Sequence, residues 1–456
     1  MHIKSGDRIV NINKMNIGIL GLGISGYWAA KLASSFGANV FVSDSKKDIN
    51  EKYFLELQNM GIDIELGNHS NKILNSDLII KSPGISNDTD IIGKIFDNNL
   101  EMISEIEFAY RVSKLKIIAV TGTNGKTTTV TCLYDLLKNK FNVVKSGNIG
   151  TPFSEIIYEE NKSEHSNTDF CILELSSFQI DDIDTFKPDI AMILNISRDH
   201  LDRYKDFSEY SNSKMNLFKN MNDDDLIIYN RDDNNLFEEV KKVDRVFKSY
   251  STDKEFSKFY LEDREIKSSN SDETLIIDDC KISGIHNVSN FIGVASICSY
   301  LGLNDKEIFQ GLTDFEGLNH RFEIFKEIDG VRFINDSKAT NIASVEVAIN
   351  SIDNNIVLIM GGLPKDSDFS NILQYSDSIK LIIAYGVASD DILNSLSGSI
   401  KIKKIEKFEN AINCAIDLAQ EGDSVLMSPG CASYDQFRNF EKRGDCFKDI
   451  VERHYS

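Results

Sequence analysis

The stretch "IIAVTGTNGKTTTV" (residues 117–130) carries the strongest chemical signal in the chain. An apolar run enters a turn with glycines at 122 and 125, and Lys126 and three threonines follow. Backbone N–H groups of such a turn point inward at phosphate oxygens, and the following helix adds its positive dipole end. Lys126 then supplies a point charge to the β- and γ-phosphates, and the Thr127 hydroxyl a ligand for Mg2+. The spacing departs from the general phosphate-loop pattern, because position 120 is Val and the first glycine is Gly122. Taken alone, Gly-Lys-Thr-Thr after a strand also fits a plain helix start.

Two further clusters fit the same chemistry. In "CILELSSFQI" (171–180), Glu174 stands near the end of an apolar run, where a carboxylate can hold Mg2+ as a Walker-B acid does. Its bland alternative is an exposed Glu capping a strand. "LNISRDHLDRY" (194–204) gathers Asp199, His200, Asp202 and Arg203 at another strand end. A His in such a cluster, in a chain with a nucleotide loop, points to function rather than packing.

A second glycine turn lies near the N-terminus, in "IGILGLGISGYWAAKLASSFGANVFVSD" (17–44). Gly21 and Gly23 permit a tight strand-to-helix turn, Gly26 lets the helix pack close, and the helix start faces an anion. Read by itself, with Asp44 on a ribose, this is the signature of an NAD-dependent dehydrogenase. That reading leaves "TGTNGKTTT", "INDSKATN" and "SPGCASYDQF" unexplained.

The elements that must position these groups follow from hydrophobic patterning. Short apolar runs alternate with helix-length amphipathic segments. Strands are expected at 17–20, 40–42, 78–81, 117–120, 170–173, 190–194, 226–229, 356–360, 381–384 and 424–427. Several end in Gly, Ser, Asn or Asp, which puts polar groups at strand carboxyl ends. The pattern reads as α/β with mostly parallel sheets. A boundary is expected near residue 105 and another near "GLNHRFE" (317–323), where a fresh strand and loop, "VRFINDS", begin. The polar, charged stretch 244–279 reads as a peripheral insertion or edge hairpin.

Bulk properties bound the partners. The 456 residues favour two or three domains, and 41% hydrophobic content supports real cores. A formal net charge of −21 disfavours nucleic acid and an anionic membrane surface as partners, and an anionic substrate needs local cations or metal ions. Seven scattered cysteines without a Cys-x-x-Cys pair suit a reducing cytoplasm. "MHIKSGDRIV" has no signal-peptide stretch and no run reaches a membrane span, so a cytoplasmic location is expected.

Taken together, "TGTNGKTT", "GNIG" (147–150), "LELSSFQ" (173–179), "DHLDRY" (199–204) and "HNVSN" (286–290) resemble the Mur ligases of bacterial cell-wall synthesis. "HRFE" (320–323), "INDSKATN" (334–341) and "SPGCASYDQFRNFEKRG" (428–444) look like the branch that adds D-glutamate. The resemblance spans nearly the whole chain. It implies an α/β protein of three domains: a Rossmann-like N-terminal domain for the UDP substrate (1–105), a central P-loop ATPase-like domain (106–317) and a Rossmann-like C-terminal domain for the amino acid (318–456). It implies a monomer whose small-molecule partners are UDP-N-acetylmuramoyl-L-alanine and D-glutamate. ATP would activate the muramoyl-alanine carboxylate as an acyl phosphate, which the D-glutamate amine attacks.

The resemblance also assigns residues. Thr123, Asn124, Gly125, Lys126, Thr127, Thr128 and Thr129 would wrap the ATP phosphates. Thr127 and Glu174 would hold one Mg2+, and His200 with Lys214 a second, the lysine being carbamylated. From its local sequence Lys214 would be an ordinary surface-helix lysine. Asn148 would touch the alanine carbonyl region. Asn290, at a helix start with Asn287, would lie by adenine, Arg321 by the phosphates, and Asp336 would bind ribose or order Arg321. Lys338 lies on the same loop as Thr340. Thr340, Lys365, Ser433 and the backbone near Phe440 would form the D-glutamate pocket. At the first turn Ile24 and Ser25 would lie by uridine, Asp44 and Ser45 would read the nucleoside, and Ser82, Pro83 and Gly84 would close over the diphosphate. "GGLPKDSDF" (361–369) departs from a more glycine-rich family pattern, and Gly430 stands where a small Ala is expected. Cys431 reads as a buried small residue rather than a nucleophile.

The nearest rival is another amide ligase of the superfamily, such as a folate-extending one, which a different C-terminal loop would betray. A "DNPR"-like motif of the diaminopimelate-adding branch is absent. A P-loop scaffold without activity is a weaker reading, since ligase positions are present in all three regions.

Overall fold

The computed structural model describes residues 10–163, 167–200, 203–282, 284–353, 355–364 and 368–456. Two compact units emerge, one of residues 1–196 with 205–250 and one of 197–204 with 251–456.

The first unit holds two parallel sheets. One contains β1 (Asn16–Leu20), β2 (Asn39–Asp44), β3 (Asp63–Leu66), β4 (Leu78–Lys81) and β5 (Met102–Ser104), in the order β3-β2-β1-β4-β5. The order reverses beside β1, so the crevice for a ligand opens at the carboxyl ends of β1 and β4. The other contains β6 (Lys116–Thr121), β7 (Val143–Gly147), β8 (Phe170–Glu174), β9 (Ile190–Ile193), β10 (Leu226–Asn230) and β11 (Lys248–Tyr250), in the order β11-β10-β9-β6-β8-β7. Its central strands β6, β8 and β9 are buried on both faces, which is why they read as unbroken apolar runs rather than alternating ones.

Buried polar ties join these two sheets into one body. Glu107, on the helix Glu105–Arg111, accepts from the backbone N–H groups of Asp184, Thr185 and Phe186, from the Thr185 hydroxyl and from Arg111. Burial alone would raise its carboxyl, but the Thr185 hydroxyl, Arg111 and the backbone donors hold it below the usual range. Lys81, 2% exposed at the end of β4, pairs with Asp182 at 2.8 Å. The helices Ile24–Ser35 and Phe153–Lys162 meet through Trp28 and Tyr158, with the Lys31 amine 4.4 Å and 5.2 Å from their ring centroids.

The second unit starts with an antiparallel sheet of β12 (Phe259–Glu262), β13 (Glu265–Ser268) and β14 (Ser271–Ile276). The helices Ile285–Tyr300 and Asp305–Asp314 follow. A six-stranded sheet then comprises β15 (Glu323–Ile328), β16 (Val331–Asn335), β17 (Ile356–Gly361), β18 (Ile379–Tyr385), β19 (Ile402–Ile405) and β20 (Ser424–Met427), in the order β15-β16-β20-β17-β18-β19. All its pairings are parallel except the β15–β16 hairpin. Apolar clusters cover both faces, as a doubly wound sheet requires.

The expected strands all form, within a few residues. The short strands β3, β5, β7 and β19 lie outside the expected set, and two further segments differ from expectation. The stretch 244–279 supplies the edge strand β11 and a three-stranded sheet, more than an edge hairpin. β15 goes unseen in the sequence because "EIFKEI" is an edge strand whose residues are all half-buried or exposed. Among the described residues no helix is long and apolar enough to cross a membrane.

Candidate active site

The phosphate loop leaves β6 at Thr121 and enters the helix Lys126–Leu137 through Gly125, whose φ of 84° lies in the left-handed region. A neighbouring loop holds it. The Asn195 carbonyl accepts from Thr123 N–H at 3.0 Å, its Oδ1 from Asn124 N–H at 2.8 Å, and its Nδ2 donates to the Asn124 carbonyl at 3.1 Å. The Lys126 amine arches back to the Gly122 and Thr123 carbonyls, both at 2.8 Å. Lys214 is 2% exposed and donates to the same Gly122 carbonyl at 3.0 Å, with the Tyr210 ring centroid 4.8 Å away. The surface-lysine reading of Lys214 therefore fails. Its helix, Phe207–Met215, is pinned by Ser213 Oγ on the Ser177 carbonyl and by Tyr210 Oη against Thr123 Oγ1.

Glu174 ends β8 at 3% exposure, which excludes an exposed strand cap. Its Oε1 accepts from Asn148 Nδ2 at 3.0 Å, and its carbonyl accepts from Asn148 N–H at 2.8 Å. Gly147 makes this approach feasible: its φ is 118°, and a Cβ there would stand 2.1 Å from the Glu174 carbonyl oxygen. The predicted residues Lys126, Glu174, Asn148 and Lys214 thus share one unit with the threonines of the loop, Thr127 and Thr128 half-buried and Thr129 buried in the first turn of the helix.

This donor set fits a Mg-nucleotide. Loop N–H groups and Lys126 suit phosphate oxygens, and the Thr127 hydroxyl and Glu174 suit a hard cation. Glu174 is a buried carboxylate whose side-chain partner is a neutral amide, so a cation beside it would be stabilising. Among the described residues no group of three or more His, Cys, Asp or Glu side chains could hold a metal.

The first glycine turn is built as its sequence suggests. Gly21 has φ 91°, and a Cβ on Gly26 would stand 1.9 Å from the Gly21 carbonyl oxygen. Asp44 at the end of β2 accepts from Leu22 N–H at 2.7 Å and from Lys46 N–H at 2.8 Å, tying the turn to the strand beside Ser45. Ser82 bonds back to the Leu20 and Gly21 carbonyls, bringing "SPG" (Ser82, Pro83, Gly84) to the same crevice. Ile24 is 44% exposed at the helix start, next to Ser25.

In the second unit, His200 (φ 55°) follows Asp199, whose Oδ2 accepts from Asn341 Nδ2 at 3.2 Å. Asn341 caps the helix Ile342–Ile349 through Ser344, so the Asp199–His200 segment rests on the loop carrying Lys338 and Thr340. Asp336 is buried, accepting from Phe322 N–H at 3.1 Å and Ser428 Oγ at 2.7 Å. Burial pushes its carboxyl up to about 7, against the pull of Arg321 and Arg443. The ordering partner of Asp336 is thus the chain at Phe322, next to Arg321. Asn335, beyond the predicted set, links His320 Nδ1, Glu323 and the Gly444 carbonyl. Lys338 lies 4.0 Å over the Phe440 ring, and Ser433 is buried after β20. Asn290 is buried in the helix Ile285–Tyr300, as is Asn287. Cys431 is fully buried, as expected. Gly430 has φ 66°, a conformation that disfavours the alanine expected there. Lys365, assigned to the amino-acid pocket, and Asp202 lie outside the described residues.

Sequence reasoning missed Asn195 and Arg443. The signal for Asn195 was its place at a strand's carboxyl end, with only Ile196 between it and the Ser-Arg-Asp-His cluster.

Comparisons with known proteins match this layout. Residues 16–91 match the MurD N-terminal domain, 120–298 the Mur ligase middle domain, and 320–431 the Mur ligase glutamate ligase domain. A UDP-N-acetylmuramoylalanine–D-glutamate ligase from Cytophaga hutchinsonii is 39% identical over 446 residues, covering 95% of this chain and 98% of that one. Its counterpart from Geobacillus sp. is 33% identical over 441 residues, covering 95% and 97%. The solved structure of a MurF ligase from Thermotoga maritima in complex with ADP shares the fold, with a TM-score of 0.61 at 16% identity over 97% of this chain and 96% of that one. With relatives this similar over nearly its full length, the chain belongs to the Mur ligase family, in the branch of the UDP-N-acetylmuramoylalanine–D-glutamate ligases.

Proposed function

We propose that this protein is an ATP-dependent amide ligase that adds D-glutamate to UDP-N-acetylmuramoyl-L-alanine, a cytoplasmic step of peptidoglycan synthesis carried out by a monomer. The observation that carries the reading is the phosphate loop: Lys126 and Lys214 converge on the Gly122 carbonyl at 2.8 Å and 3.0 Å, in one unit with the buried Glu174. Three domains divide the work, 1–105 for the UDP moiety, 106–317 for ATP and 318–456 for the amino acid.

ATP with its Mg2+ supplies the phosphoryl group that turns the substrate carboxylate into an acyl phosphate. The amine of D-glutamate forms the new C–N bond, gives up a proton, and phosphate leaves with the C–O bonding pair. Every other task falls to the chain. The N–H groups of residues 123–129 and Lys126 hold the phosphates, and Arg321 offsets charge that develops on them. Thr127 and Glu174 would hold one Mg2+, and His200 with Lys214 would serve a second. Lys214 would do so as a carbamate, its neutral amine taking up CO2 and releasing a proton, which would turn a buried cation into a metal ligand. Asn290 packs by adenine and Asp336 bonds ribose. The first glycine turn, with Ile24, Ser25, Asp44, Ser45 and Ser82–Gly84, takes the UDP, and Asn148 orients the alanine carbonyl. Lys338, Thr340, Lys365, Ser433 and Phe440 receive D-glutamate. Most of the acceleration is positioning of three anions among fixed cations.

Purified protein with ATP, Mg2+ and UDP-N-acetylmuramoyl-L-alanine should release phosphate only when D-glutamate is added. Equal turnover with L-glutamate, or none with D-glutamate, would overturn the assignment.

A further inference from the structure

Arg443 is the largest fully buried side chain in the molecule among the described residues, at 0% exposure. It sits in the first turn of the helix Phe440–His454 and reaches the carboxyl edge of the second unit's six-stranded sheet. Its Nε donates to Ser337 Oγ at 3.0 Å and Nη2 to the Ser337 carbonyl at 2.7 Å. Nη1 donates to the Cys431 carbonyl at 3.1 Å and to Tyr385 Oη at 3.2 Å. Ser337, Cys431 and Tyr385 stand at or just past the ends of β16, β20 and β18. One guanidinium therefore gathers three strand ends on the edge where doubly wound sheets bind ligands.

All four acceptors are neutral oxygens, and among the described residues no carboxylate lies within ion-pair distance of the guanidinium. A fully buried cation satisfied only by dipoles is rare, because burying an unpaired charge is expensive. Asp336, one strand end away, feels the Arg443 charge, but its carboxyl is bonded to Ser428 and Phe322 and not to the guanidinium. The fork geometry cannot be replaced by an aliphatic side chain without stranding four oxygens, yet hydrogen bonding to neutral oxygens does not by itself call for a full positive charge. An anion brought to this edge would add a counter-charge that no direct ion pair supplies.

We propose that Arg443 is a specificity-determining positioning residue: its buried charge selects an amino acid with a second carboxylate, and its bonds hold the two loops, 335–341 and 428–433, that receive it. The proposal rests on the ligase reading above. Arg443 acts through its field and through Ser337 and Cys431, without touching substrate.

The test compares the KM for D-glutamate with the Ki of D-glutamine, a neutral-side-chain competitor of nearly equal shape, in wild type, Arg443→Gln and Arg443→Lys. Folding of each variant is checked by circular dichroism and thermal melting. In Arg443→Gln the KM for D-glutamate should rise by roughly tenfold or more while the Ki for D-glutamine moves less than about threefold. The KM for the UDP substrate should stay near wild type. Equal shifts for D-glutamate and D-glutamine would mean that Arg443 only packs the loops, and would overturn the proposal, as would an unchanged KM. If Arg443→Gln does not fold, Arg443→Lys decides: the charge remains, so the ratio of the two constants should hold within about threefold, and a roughly tenfold fall would refute the charge role. Wild-type protein inert toward D-glutamate would instead defeat the ligase reading itself.

Discussion

Asn195 offers the sharpest test of how the phosphate loop is held. Its side chain makes two bonds to Asn124, accepting from the N–H at 2.8 Å and donating to the carbonyl at 3.1 Å, while its backbone carbonyl holds Thr123 N–H. Asn195→Ala removes the two side-chain bonds and leaves the backbone bond. Each such bond contributes about 1 kcal/mol, so the loop loses about 2 kcal/mol of preorganisation. If that loss is felt when nucleotide binds, kcat/KM for ATP falls by about 30-fold, at about 1.4 kcal/mol per decade. Asn195→Asp should be worse than Ala. It keeps the acceptor for Asn124 N–H but turns an oxygen toward the Asn124 carbonyl and adds a negative charge near the phosphates. The assay is phosphate release with ATP titrated at saturating co-substrates, with KM for D-glutamate as the control that should not move. An alanine variant within about twofold of wild type in kcat/KM for ATP would refute the view that Asn195 sets the loop. So would an aspartate variant better than alanine.

Four more expectations follow from the same geometry. Lys126→Ala should remove ATP turnover, and full ATPase activity in that variant would contradict the loop's role. Lys214→Ala should nearly abolish activity, with partial rescue by short carboxylic acids in the assay if the lysine serves as a carbamate; wild-type rates without them would dispose of that idea. Gly147→Ala should lower the melting temperature and the activity together, because its Cβ would stand 2.1 Å from the Glu174 carbonyl oxygen in a backbone with φ 118°. For pH, burial pushes Glu105 up to about 7, above the roughly 4.3 of an unfolded chain. The folded state therefore binds a proton that the unfolded state has lost, and this group's contribution to stability falls as pH rises from about 4.3 to about 7. Glu105→Gln keeps the acceptor for Ser154 N–H and lacks the titration. In urea melts its stability relative to wild type should grow between pH 5 and pH 8, and a constant difference would refute the assignment.

Much of the site was legible because its chemistry is local. "TGTNGKTTT" announces a phosphate loop since glycine freedom, a lysine and a hydroxyl at fixed offsets are all the motif needs, and Gly125 does adopt the left-handed turn. The parallel strands were legible because burial on both faces forces apolar runs, as in β6, β8 and β9. β15 was not, because an edge strand needs no such run.

What the sequence by itself determined is the set of local instructions: two glycine turns, the strands that feed them, and the family to which the motifs belong. Tertiary structure alone decided which remote side chains become part of the site. "EYSNSK" reads as a surface helix until the Phe207–Met215 helix packs over Ser177 and buries Lys214 against Gly122, 92 positions away. Asn195 looks like a loop residue until the β6–β9 pairing brings it to Asn124, and Arg443 like a surface helix arginine until three strand ends close around it. The physical reason is common to all three. A polar side chain's role depends on what its neighbours in space leave unsatisfied, and those neighbours are chosen by sheet topology, which a local pattern does not encode.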